Sequence, residues 1–312
     1  MADRRPTRVR RSDRTRIAAR GLAVAAGIAM VAVLGGCFST VPTSDLVFPE
    51  YAVIYREGAG RRVATLYRPS TGNGPFPAVV LMHTCGGIGQ HIHDWAGRLT
   101  EVGYVALVVD SNGVRGVPNN CQGADAKVTV DEVAADAARA LAHLRAQPWV
   151  DGERLAVMGF SFGAMAALRL SGESYQRRLA DGVTGLRAVV FFYGACGTDS
   201  SSLAANQSSN NLADDIVTPT LMLLGGLDTE TPPRFCTAKA DRLRERGQPI
   251  AYKLYPDATH SFDSSRWGTE GRWIRHGQRG PFLYRYSAEA TEDSWNEIQA
   301  FFARHLTPRP AR

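Results

Sequence analysis

Ser161, Asp228 and His260 each follow a short apolar run, and together they could move a proton from an alcohol to an imidazole. A serine hydroxyl is a weak nucleophile at neutral pH. It needs a base to take its proton and a third group to hold that base. Ser161 is the centre of Gly159-Phe160-Ser161-Phe162-Gly163, between the apolar run Leu155–Met158 and the helix-forming stretch Ala164–Leu168. A strand that turns sharply into a helix leaves such a serine on a strained corner with its hydroxyl exposed. Glycines flank it because strand and helix approach too closely for a Cβ. The helix also aims its first N–H groups at whatever the serine attacks. Asp228 closes Leu224-Gly225-Gly226-Leu227-Asp228, and His260 lies in Ala258-Thr259-His260-Ser261-Phe262. The implied chemistry is attack on a carbonyl carbon.

Other readings of these residues are weaker. Asp228 could cap a helix ahead of Pro232-Pro233. Asp199, Asp214 and Asp215 follow the preceding apolar run and are the alternative acids. Asp257 and Asp263 stand too near His260 in sequence to reach its far nitrogen easily. His83, His91, His93, His143, His276 and His305 lack matching context. His91, His93 and Asp94 have no further ligand cluster and no Cys-x-x-Cys spacing occurs, so neither a metal nor another cofactor is expected.

Carbonyl attack needs two donors aimed at the developing oxyanion. The Phe162 N–H, next to the nucleophile, is one expectation. The other is the Cys85 N–H in His83-Thr84-Cys85-Gly86-Gly87, with Thr84 as second choice. His83, Thr84, Arg115 and Tyr193, all just past apolar runs, are expected to touch substrate.

These residues need a scaffold that gathers strand ends. Tyr51–Arg56 and Arg62–Arg68 read as an opening antiparallel pair around Gly58-Ala59-Gly60. Ala78–Met82, Val105–Val109, Leu155–Met158, Leu186–Phe192, Thr220–Leu224 and Ala251–Tyr255 read as buried strands. Asp94–Val102, Asp131–Ala146, Pro233–Arg246 and Ala288–His305 read as helices. Such alternation predicts an α/β fold, a mostly parallel sheet of about eight strands with helices on both faces. Sites in such sheets form at the carboxyl ends of the strands. The stretch 263–287, with Trp267, Trp273, Phe282 and Tyr284, shows no clear period. It reads as a long loop that either walls a pocket or packs on itself.

The net charge of +6 does not signal nucleic acid. Residues 1–36 hold eight arginines against Asp3 and Asp13, leaving 28 of the 36 basic and 28 of the 30 acidic groups for the rest. Residues 1–36 have an arginine-rich start and an apolar stretch from Leu22 to Leu34. They read as a lipoprotein-type signal peptide, too short to span a bilayer. Leu34-Gly35-Gly36-Cys37 resembles a bacterial lipobox, in which Cys37 would be lipidated. Residues 37–50 then form a tether and 51–312 the folded domain, exported and attached to the cell envelope by lipid. Four cysteines remain, an even number suited to an oxidising compartment. Their positions past neighbouring strands favour Cys85–Cys121 and Cys196–Cys236 among three possible pairings.

From about Pro77 to Leu306 these motifs resemble the dienelactone hydrolase family of the α/β-hydrolase superfamily. The matching stretches are His83–Gly87, Gly103-Tyr104, Asp110-Ser111, the Ser161 pentapeptide, Gly225–Pro232 and Ala258–Phe262. The resemblance implies the fold and a hydrolase acting on a small-molecule ester or lactone. It departs at two points. The namesake enzymes have a cysteine where Ser161 stands, and a glutamate tuning that thiol where Thr84 falls. A thiol needs pKa tuning that a serine does not, so the two changes agree. Arg115 falls near where the namesake enzymes hold a substrate carboxylate. No obligate protein partner is implied. The alternatives are a prolyl-oligopeptidase-type peptidase, which usually carries a propeller domain that this chain has no room for, and a non-catalytic lipid-anchored binding protein on the same fold.

Overall fold

A computed structural model describes residues 44–46, 64–121, 127–179, 183–197 and 212–307. The strand expected over Tyr51–Arg56, the signal segment and Cys37 lie outside the described residues.

Among the described residues ten strands form in chain order: β1 Ser44–Leu46, β2 Ala64–Tyr67, β3 Phe76–Met82, β4 Val105–Val109, β5 Val150–Phe160, β6 Leu186–Phe192, β7 Thr220–Gly225, β8 Ile250–Tyr255, β9 Arg272–His276 and β10 Arg279–Tyr284. The first eight make one sheet in the order β1-β2-β4-β3-β5-β6-β7-β8. The pairs β1–β2 and β2–β4 are antiparallel, and every pairing from β4 to β8 is parallel. The α/β expectation therefore holds. The partner of β2 is Ser44–Leu46, so part of the expected tether is an edge strand.

Alternating side chains divide the core into two layers, as the two-residue period of a strand requires. Val80, Leu107, Val157, Val189 and Met222 pack under α2 (Val130–Arg145), α3 (Phe162–Leu170) and α5 (Pro233–Glu245). Leu81, Val108, Met158, Val190 and Leu223 pack under α1 (Gln90–Glu101) and α6 (Ala288–His305). The short α4 (Glu173–Arg178) follows α3. The helix ends follow local chemistry. Thr129 and Glu132 close a reciprocal capping box on α2, and Ser287 caps α6.

Because β4 and β5 lie on opposite sides of β3, the chain reverses its winding between β3 and β5. Sites in such sheets form where the loops leaving the carboxyl ends of two strands diverge in this way. His83 and Ser161 begin those loops. The two disulfides are Cys85–Cys121 and Cys196–Cys236, as expected. The stretch 263–287 is not an irregular loop. It contains the hairpin β9–β10, turned at Gly277-Gln278 and separate from the main sheet.

Candidate active site

The backbone at Ser161 is held at φ 53°, ψ −107°, a conformation that non-glycine residues seldom adopt. Its N–H donates to the Phe192 carbonyl on β6 at 2.9 Å, and the Gly163 N–H donates to the His83 carbonyl at 3.0 Å. A Cβ on Gly159 would stand 2.2 Å from the Gly163 carbonyl oxygen, and one on Gly163 would stand 2.3 Å from the Met82 carbonyl oxygen. Both glycines of the pentapeptide are therefore sterically required. Among the described residues the non-glycine positions with positive φ are Ser161, Tyr193 and Ser261, all in this region. Strain concentrated in one place marks a site worth chemical scrutiny.

Asp228 sits in the turn after β7. Leu227 N–H donates to the Ala258 carbonyl at 2.9 Å and Gly226 N–H to the Tyr255 carbonyl at 2.8 Å, which ties this turn to the one bearing His260. The Asp228 carboxylate is saturated with donors. Oδ1 accepts the N–H groups of Glu230 and Thr231, each at 2.9 Å, and Oδ2 accepts the Thr231 hydroxyl at 2.7 Å. It does not cap α5, which begins without a side-chain cap. His260 Nδ1 lies 2.7 Å from Asp228 Oδ2, and its Nε2 lies 2.9 Å from Ser161 Oγ. All three side chains are buried. Burial alone would lower the pKa of His260. The carboxylates of Asp228 and Glu230 outweigh burial and leave it raised above its ordinary value.

Tyr193 packs its ring edge-on against the His260 imidazole, with centroids 4.9 Å apart. Its hydroxyl donates to Asp263 at 2.7 Å, and its carbonyl accepts the Thr231 hydroxyl at 2.9 Å. Asp263 also accepts the Trp95 indole N–H at 2.8 Å. Tyr193 thus packs on His260 with its hydroxyl and carbonyl both engaged within the protein.

His83 is engaged within the protein too. Its buried ring donates from Nδ1 to the Thr84 carbonyl at 2.7 Å and accepts the Asn112 N–H at Nε2 at 3.3 Å. Burial depresses its pKa, in keeping with this neutral tautomer. The Thr84 hydroxyl faces the Gly87 carbonyl at 3.4 Å. The Cys85 carbonyl accepts Asn120 N–H at 2.8 Å and Asn112 Nδ2 at 3.0 Å, while its sulfur is tied to Cys121. Arg115 has protein partners of its own. Its guanidinium grips Asp136 at 2.6 and 3.1 Å and also donates to the Ser111 carbonyl. Asp136 is fully buried, and a buried carboxylate needs its cation close. That requirement, not a substrate, takes Arg115.

Sequence reasoning gave no role to Glu230. Its carboxylate is buried, with Oε2 3.8 Å from His260 Nε2. Tyr284 donates its hydroxyl to Oε2, and His276 and Arg279 approach Oε1 at 3.4 and 3.3 Å. All three come from the hairpin. The Gly277-Gln278 pair between two runs of mixed aromatic and charged residues is the signal that could have revealed that hairpin.

The family model for the dienelactone hydrolase family matches residues 63–306. The chain belongs to the dienelactone hydrolase family. An Escherichia coli O157:H7 protein named "Putative carboxymethylenebutenolidase" is 27% identical over 245 residues, covering 76% of this chain and 80% of that protein. A Methylorubrum extorquens protein of the same name is 25% identical over 272 residues, covering 85% and 79%. The crystal structure of a "Putative Dienelactone Hydrolase" from Klebsiella pneumoniae superposes with a TM-score of 0.59 at 25% identity, covering 78% of this chain and 92% of that one. This dienelactone hydrolase family member is accordingly a carboxylic ester hydrolase. The matched region contains β2 to α6, and hence every side chain described above.

Proposed function

We propose that this family member is an exported serine hydrolase that cleaves a carboxylic ester or lactone through an acyl-enzyme. The observation that carries the reading is the 2.9 Å approach of His260 Nε2 to Ser161 Oγ, with Asp228 at 2.7 Å from the other ring nitrogen. His260 takes the Ser161 proton as Oγ bonds to the substrate carbonyl carbon, and the carbonyl electron pair moves onto oxygen. The Phe162 N–H, in the first turn of α3 where helix amides have no partner within the helix, and the Cys85 N–H stabilise that oxyanion. His260 then passes its proton to the leaving alcohol. Water, deprotonated by His260, releases the acid and restores Ser161. Asp228 fixes the imidazole orientation and offsets its transient charge.

Two disulfides suit an oxidising compartment. With the leader over residues 1–36 and the lipobox-like Leu34–Cys37, they support export and lipid attachment at Cys37. A small neutral ester or lactone is the expected substrate. Arg115, the residue that would have matched a substrate carboxylate, is committed to Asp136.

Cleavage of p-nitrophenyl esters of graded acyl length by the mature protein tests the reading. Ser161→Ala is expected to lower kcat by about 10⁴-fold or more. Equal rates for wild type and variant would rule the mechanism out.

A further inference from the structure

Glu230 is a buried acid that faces the proton-receiving nitrogen of the base and that this mechanism leaves unused. Its Oε2 faces Nε2, the nitrogen that receives the serine proton, whereas Asp228 holds Nδ1 on the other side of the ring. At 3.8 Å the contact is too long for a hydrogen bond yet well within Coulombic reach. From this geometry we infer that Glu230 is a positioning residue for the reaction. It is a second fixed anion that stabilises the His260 imidazolium, and the β9–β10 hairpin pins it so that it does not itself take the proton. The inference rests on the roles proposed above for Ser161 and His260.

The hairpin's grip explains how an anion can stand so close without stopping turnover. A free carboxylate at this place could swing to Nε2 and compete with the leaving group for its proton. Here Tyr284 occupies Oε2, and His276 and Arg279 hold Oε1. Glu230 therefore acts at a distance, while Nε2 remains bonded to Ser161 Oγ. Burial would push the Glu230 carboxyl up. The His260 charge, His276 and the Tyr284 hydroxyl outweigh it and hold the carboxyl down to about 2, so it stays an anion over the working range. A neutral anchor would have attached the hairpin without the cost of burying a charge.

The step balances without Glu230 changing state. The Ser161 O–H bond breaks, the His260 Nε2–H bond forms, and Glu230 neither gains nor loses a proton. The ionisable groups facing His260 are Asp228 and Glu230 from the turn after β7, Tyr193 from the turn after β6, Asp263 just beyond His260, and Tyr284 from β10. His276 and Arg279 stand behind Glu230.

The test uses two variants of opposite expected sign, read as the pH profile of kcat/KM for a neutral ester. Glu230→Gln removes an anion and is expected to move the acid limb down by about one pH unit, with the plateau kcat falling by up to about tenfold and KM little changed. Arg279→Gln leaves Glu230 less compensated and is expected to move the limb up. An anchor with no electrostatic role lowers activity equally at every pH in both variants, and that result overturns the proposal. If circular dichroism shows that Glu230→Gln does not fold, the Arg279→Gln limb decides alone, an unmoved limb being fatal. NMR titration of the His260 ring in the Ser161→Ala chain reads the same coupling without turnover. Adding Glu230→Gln to that chain is expected to lower the His260 pKa, and an unchanged pKa overturns the proposal. Wild-type rates in Ser161→Ala would instead sink the proposed mechanism and leave this titration readable.

Discussion

The two sides of Ser161 are held by different kinds of force. On the β3 side, the loop through Cys85 is fixed by a covalent bridge to Cys121, the neutral His83 ring and the two asparagines Asn112 and Asn120. On the β7–β8 side, N–H and hydroxyl donors hold Asp228 and Glu230, and charge is added to them: both carboxylates face His260, with Arg279 and His276 behind Glu230. The difference follows from what each side must do. In the proposed mechanism the oxyanion donors need only stand still, so uncharged bonds and a crosslink suffice. A base must gain and lose a charge, so its surroundings must be able to answer one. The β3 side should therefore respond to redox conditions and the β7–β8 side to pH.

The largest expected effect lies on the charged side. Asp228→Asn keeps the shape of the turn but removes the anion facing Nδ1, and kcat for ester cleavage is expected to fall about 10⁴-fold. A loss below tenfold would show that Glu230, not Asp228, is the dominant partner of His260. Next comes the neutral side. Replacing Cys85 and Cys121 together by serine opens a loop of sequence separation 36, and is expected to cost about 3–4 kcal/mol of unfolding free energy. The same change loosens one oxyanion donor, with kcat falling up to about 10²-fold and no shift of the pH limb. A moved limb would break the proposed division between the two sides.

The smallest effect concerns acid stability. The Glu230 carboxyl titrates near 2 in the folded chain against an ordinary 4.5, so its contribution is fully present above about 4.5 and is lost as pH falls toward 2. The difference corresponds to roughly 3 kcal/mol. Urea unfolding at pH 6 and pH 3 is expected to show a smaller pH-dependent loss in Glu230→Gln than in wild type. An equal loss in both chains would assign acid sensitivity to other carboxylates.

The fold was legible because its signals are local. Apolar runs such as Ala78–Met82 mark strands buried on both faces, and the helix read over Ala288–His305 is α6 as observed. Ser161, Asp228 and His260 were legible because strand-end placement makes three distant positions converge. The β9–β10 hairpin was not, since its strands carry mixed charged and aromatic residues on both faces and no alternation survives. With the hairpin hidden, nothing in the sequence distinguished Glu230 from an exposed acid. The ion pair of Arg115 was hidden for a related reason. Its partner Asp136 lies 21 positions away on a helix, and only the fold brings the two together.

The hairpin joins no strand of the main sheet, meets the turn of His260 through a bridge from Tyr284, and enters and leaves between His260 and α6. It is therefore a cassette that evolution can trim, lengthen or exchange without touching a strand of the main sheet. Each such exchange would change the electrical setting of the imidazole while the nucleophile stays as it was. A lineage built on this plan has a way to adapt its working acidity to a new habitat through residues outside the trio of Ser161, Asp228 and His260.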